Sequence, residues 1–145
     1  KNLLLNTADP VASMAGITVT GGRLNINEAL TCTQGSNPRM YIDAPHDNTT
    51  AVVGYKTLFQ VRLSDCGTTV TGATVIVTLD NLDPDFSLLD DGVAPDSVAG
   101  DGIYSGNWTP GSTGSGTVIA QINATNTGGP TLTHQHSLNT VSVPR

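Results

Sequence analysis

Three runs of the chain alternate apolar and polar residues with a period of two. Phe59, Val61 and Leu63 are interleaved with Gln60 and Arg62. Ala73, Val75, Val77 and Leu79 are interleaved with Thr74, Ile76 and Thr78, and Val118, Ala120, Ile122 and Ala124 with Thr117, Ile119, Gln121 and Asn123. Successive side chains of an extended strand point to opposite faces, so each run offers one apolar face and one more polar face. Further candidate strands are 39–44, 102–108 and 131–143, separated by turn clusters rich in Asp, Gly, Pro, Ser and Asn. Six or seven short strands at this spacing, with no helical stretch between them, predict an all-β fold: a two-sheet antiparallel sandwich of about seven strands. Composition agrees. Hydrophobic residues make up 37% and charged residues 12%, a folded-chain balance, and the helix-face residues Lys, Glu, Arg and Gln are scarce.

Residues 1–31 read differently. A short apolar start, LLLNTADP, is followed by ASMAGITVTGGRLNINEAL. Asn25 followed by Glu28 forms a capping box, which predicts one small helix over Ile26–Leu30. So short a helix is unstable alone and must pack on something. Leu3, Leu4, Leu5, Ile17 and Val19 also need cover, so this segment is expected to be at least partly ordered against the sandwich or a second copy. The chain begins at Lys1 without a Met and is expected to be a processed piece of a longer protein.

The formal charge is −6. Six basic residues scattered along the chain cannot form a phosphate-binding stripe, and an acidic surface without basic clusters does not attract anionic lipid. No apolar run approaches the roughly 20 residues needed to span a bilayer. Lys1–Leu5 resembles the start of a signal peptide, but Asp9 and Pro10 interrupt the pattern. The two cysteines, Cys32 and Cys66, fit one disulfide closing a loop of about 33 residues, worth about 3–4 kcal/mol in the chain-entropy model. The alternative is a pair of buried thiols. Low lysine and high Asn, Thr and Gly suit a secreted, extracellular protein, which favours the disulfide. Neither cysteine has a second Cys or a His at zinc-ligand spacing.

Two stretches resemble known families. LLLNTADPVASMAGITVTGGRLNINEAL resembles the C-terminal end of subtilisin-like (S8 family) serine protease catalytic domains, with Gly21, Gly22, Arg23, Leu24, Asn25, Ala29 and Leu30 matching its most recognisable portion. The likeness covers about a fifth of the chain. Such proteases carry an Asp in a D-[ST]-G setting, a His followed by Gly and Thr, and a Ser in G-T-S-M-A. None of these occurs here. His46, His134 and His136 lack that neighbourhood, and Ser13-Met14-Ala15 has Ala12 where Thr belongs and no preceding Gly. A nucleophile, base and orienting acid must meet in space, so the chain is not expected to carry the protease activity, and no catalytic residue is assigned to it. The second stretch, LLDDGVAPDSVAGDGIYSGNWTP over Leu88–Pro110, is similar to a signature of bacterial immunoglobulin-like modules in large exported proteins. Together the resemblances imply residues 1–31 as the C-terminal remnant of a catalytic domain and 32–145 as an immunoglobulin-like β-sandwich domain.

The second stretch also carries the most concentrated chemistry. Asp90, Asp91, Asp96 and Asp101 fall within twelve residues, with Gly92, Gly100 and Gly102 allowing sharp bends. Calcium takes six to eight hard oxygen ligands, which clustered carboxylates and turn carbonyls can supply. The same residues also suit Asx-turns that bond nearby amides. Both readings stand at this level. A paired-carboxylate hydrolase would need a cleft and aromatic platforms, and the chain has one Trp. Asp80, Asp83 and Asp85 read as plain turn chemistry. His134 and His136 alternate on one strand face, more in keeping with surface-facing polar residues than with a metal pair. Trp108 and Tyr104 are expected as core anchors, the alternative for Trp108 being a sugar-stacking platform. The sequons at Asn48, Asn107 and Asn123 matter only in a eukaryotic secretory pathway.

Two functional readings follow. One is a non-catalytic accessory domain of a secreted subtilisin-like protease, partnered by the parent catalytic domain and expected to stabilise it, to space it from other modules, or to hold its protein or polysaccharide substrate. The other is an independent adhesion or carbohydrate-binding module.

Overall fold

The computed structural model describes residues 8–11, 13, 22–23, 35, 37–81, 83–111, 116–126 and 129–142. The helix expected over 26–30 lies outside them, as does Cys32. Two sheets face each other. The first holds five strands in the order β4 (Thr49–Val52), β11 (Leu132–Val141), β10 (Gly116–Thr125), β7 (Thr74–Leu79) and β8 (Phe86–Leu88). The second is four-stranded and built around β5 (Thr57–Asp65), which pairs with β3 (Pro38–Ala44), the short β6 (Thr68–Thr69) and β9 (Ile103–Trp108). A two-residue pair, β1 (Asp9–Pro10) with β2 (Gly22–Arg23), completes the described strands.

The alternation read in the sequence sets which residues form the core. Phe59, Val61 and Leu63 of β5 face Val75, Val77 and Leu79 of β7 and Val118, Ala120 and Ile122 of β10 within one buried cluster. Cross-strand register keeps each face consistent: Val77 pairs with Ile122 and Val61 with Tyr104, so both partners of each pair share a side. Tyr104 and Trp108 anchor the core as expected, 2% and 3% exposed. The Phe59 ring meets Phe86 and Trp108 edge-on, with centroids 5.3 and 6.3 Å apart, the geometry aromatic quadrupoles favour.

The two sheets contain more strands than the sequence periodicity marked, because β4, β6 and β8 are too short to display a period. One pairing also departs from the antiparallel expectation. The chain leaves the four-stranded sheet after β3, and β4 runs parallel to β11 on the opposite sheet. This switch, with the β3–β5–β9 sheet packed against β4–β11–β10–β7–β8, is the topology of an immunoglobulin-like sandwich. A second crossing closes the other edge: β8 pairs with β7, while the next residue, Leu89, exchanges two backbone hydrogen bonds of 3.0 and 2.9 Å with Ser105 of β9.

Candidate functional site

The loop from Leu89 to Gly102 joins β8 to β9, so both of its ends are fixed by strands on different sheets. Asp90 closes its neck. One carboxylate oxygen accepts the amides of Gly100 at 2.7 Å and Asp101 at 3.1 Å, and the other accepts the amide of Gly102 at 3.1 Å. Asp96 organises the tip, accepting the amides of Gly92 at 2.6 Å and Ser97 at 2.8 Å. The Gly92 amide above all holds the Asp96 carboxyl below the ordinary carboxylate value, against burial, which pushes it up. Asp91 and Asp101 each form a local Asx-turn, with Val93 at 2.9 Å and Ile103 at 2.9 Å.

Two glycines are required by this path. Gly92 has φ +72°, and a Cβ there would meet the Ala99 nitrogen at 2.9 Å; Gly102 has φ +79°, and a Cβ would meet Thr69 Cβ at 2.9 Å. Both combine a left-handed backbone with a close approach that only glycine permits.

Of the four aspartates singled out in the sequence, three converge. One carboxylate oxygen each from Asp90, Asp96 and Asp101 lie within 4.8 Å of one another, with Asp96 buried and the others half-buried. Asp91 stands outside this group. Calcium binds oxygen at about 2.3–2.6 Å, so oxygens up to about 5 Å apart can share one ion. Without a cation, such separations cost about 1 kcal/mol of repulsion per pair in water-like surroundings. The amide donors already offset part of that repulsion.

No protein-family model matches the chain, and no curated protein matches it. Among solved structures, domains 4 and 5 of the S-layer protein SbsC give a TM-score of 0.48 at 19% identity, covering 72% of this chain and 54% of that one. Fibronectin(III)-like modules of Clostridium thermocellum CbhA give 0.47 at 14% identity, covering 73% and 47%. A CARDB domain from Pyrococcus furiosus, solved in complex with di-metal ions, gives 0.38 at 16% identity, covering 77% and 96%. The chain spans about half the length of the first two. No helix among the described residues is long and apolar enough to cross a membrane.

Several residues behave otherwise than their sequence context suggested. His134 and His136 do not face solvent. They pair with Ile122 and Ala120, which line the core side of β10, so both rings point inward. His136 is 4% exposed, with Nδ1 3.9 Å from Asp47 and Nε2 buried without a hydrogen-bond partner. Burial first, and His136 second, lower the His134 pKa below the ordinary value, with Asp47 opposing. The rings lie 6.0 Å apart. Strand alternation places them on one face but does not decide which face, because the flanking Thr133, Gln135 and Ser137 are polar too.

The second acidic group is not plain turn chemistry either. Asp83 accepts the Trp108 indole N–H at 3.0 Å and the Gly111 amide at 3.2 Å, and Asp80 accepts the Ile119 amide at 2.8 Å. These bonds join distant parts of the chain, which no local spacing announces. A further cleft of about 110 Å³, lined in part by Pro38, Leu63, Asp65 and Leu132, shares no residue with the Asp loop. Small-molecule sites typically run from about 300 Å³ upward. No free cysteine occurs among the described residues. Cys66 sits at φ +49° in the turn after β5; its expected partner, Cys32, lies outside those residues.

Proposed function

We propose that this chain is a non-catalytic accessory module of a secreted protein, and that its parent is a subtilisin-like serine protease. The observation that carries the non-catalytic reading is the use of the acidic loop. Asp90 and Asp96 direct both carboxylate oxygens at backbone amides, which fixes loop shape and leaves neither poised as an acid or base. What supports the parent assignment is the stretch Gly21–Leu30 and its likeness to the end of a subtilisin-like catalytic domain. In this reading the partners are the parent catalytic domain and its protein or polysaccharide substrate, and Cys66 is bridged to Cys32. The module stabilises or spaces the protease. A free-standing sugar-binding module fits less well: the one Trp is buried and bonded to Asp83, so it offers no stacking platform. The reading is tested by the coding sequence upstream of Lys1, which is expected to carry D-[ST]-G, H-G-T and G-T-S-M-A. A reading frame without them removes the protease.

A second reading of the loop is favoured by the convergence of three oxygens within 4.8 Å: Asp90, Asp96 and Asp101 seat a calcium ion. Thermal melting with calcium and with a chelator separates the readings. Calcium is expected to raise the Tm of the parent chain and not that of Asp96→Asn. An unchanged Tm leaves the amide clamps as the loop's only role.

A further inference from the structure

Side chains that point away from the core of a sandwich meet solvent unless something covers them. On β3 and β5, Met40, Ile42, Val61 and Leu63 point inward, so their neighbours Arg39, Tyr41, Arg62 and Ser64 point outward. Yet Tyr41 is 6% exposed and Ser64 7%. The described part of the leading segment lies against Tyr41 and Arg39. Ala8, 2% exposed, offers its carbonyl to the Tyr41 hydroxyl at 3.0 Å. Asp9 takes Arg39 Nη2 at 3.3 Å and Arg23 Nε, from β2, at 3.4 Å. The carboxylate thus ties both strands of the leading pair to the sandwich. The receiving surface is itself built: the Arg62 guanidinium lies 5.0 Å from the Tyr41 ring centroid and grips Asp43 at 3.2 and 3.1 Å. A two-strand pair is marginal alone, so β1 and β2 depend on such a support.

We propose that the outward face of β3, formed by Arg39 and Tyr41, is the docking seat of the chain's own leading segment. The sandwich then holds that segment in one place and fixes the position of the unit it ends. This last step rests on the reading of residues 1–31 as the close of a preceding domain; the docking does not.

Hydrogen exchange on the full chain tests it, in the parent, Tyr41→Phe, Arg39→Gln and the double variant. Each single change removes a hydrogen bond or ion pair to Ala8 or Asp9. Each is expected to speed exchange of the Asp9, Val11, Gly22 and Arg23 amides about fivefold, the double variant more, with Val77 and Ile122 unchanged. Unchanged rates at those amides in the double variant overturn the docking. So does acceleration of the same size at Val77 and Ile122, which makes the segment part of the core's own unfolding. Neither result bears on the upstream coding sequence, so the docking and the protease parent fail separately.

Discussion

Asp90→Ala removes the acceptor for three amides at the neck of the loop: Gly100, Asp101 and Gly102. The amide of Gly100 is exposed and recovers much of its loss by hydration. Gly102 is buried, and its carbonyl accepts the Leu63 amide at 2.9 Å, so losing its acceptor disturbs the joint between β5 and β9. A buried donor left without a partner costs about 1–3 kcal/mol, and bonds to a charged acceptor are worth about 1.5–3 kcal/mol each. Discounting the exposed amide, the net loss is about 3 kcal/mol. For a chain of this size that corresponds to a Tm lower by about 9 °C. Asp90→Asn keeps one acceptor oxygen and is expected to lose about half as much. Circular dichroism melts in chelator read both variants free of any cation effect. An Asp90→Ala chain melting within about 2 °C of the parent would refute the idea that this carboxylate clamps the loop.

Two further outcomes follow from the same geometry. His134 has a folded pKa below its unfolded value near 6.5, so the unfolded chain takes up the proton first. Stability is therefore full above about pH 6.5 and falls as pH drops from there through the folded pKa. Urea midpoints between pH 8 and 5 are expected to show this loss, and His134→Gln to reduce it; parallel profiles would contradict it. Asp83→Ala leaves the Trp108 indole N–H without its acceptor, at a cost of about 1–3 kcal/mol. Since the chain has one Trp, its emission spectrum reports the change directly, and an unaltered spectrum and Tm would count against the bond.

The core strands were legible because Phe59–Leu63, Ala73–Leu79 and Val118–Ala124 are long enough to show a period, and burial acts on that period. The edges were not. Thr49–Val52 and Phe86–Leu88 gain their place from pairing with β11 and β7, which is a tertiary fact. In the acidic loop, spacing alone identified the residues that converge, since Asp90, Asp96 and Asp101 sit among the glycines that let the chain fold back. What spacing could not rank was Asp91, one residue from Asp90 but committed to its own turn. Nor could it reveal Asp83, whose role depends on Trp108, 25 residues later. His134 and His136 show the remaining limit: polarity suggested the outer face, while register with Ile122 and Ala120 put them inside.

The most direct test of the proposed protease parent is peptide mapping of the native polypeptide that contains this sandwich, after labelling with a fluorophosphonate probe for serine hydrolases. One continuous chain is expected, labelled on a serine in a G-T-S-M-A peptide upstream of Lys1 and carrying no label between Lys1 and Arg145. An unlabelled polypeptide, or a label on a serine within residues 1–145, would contradict it.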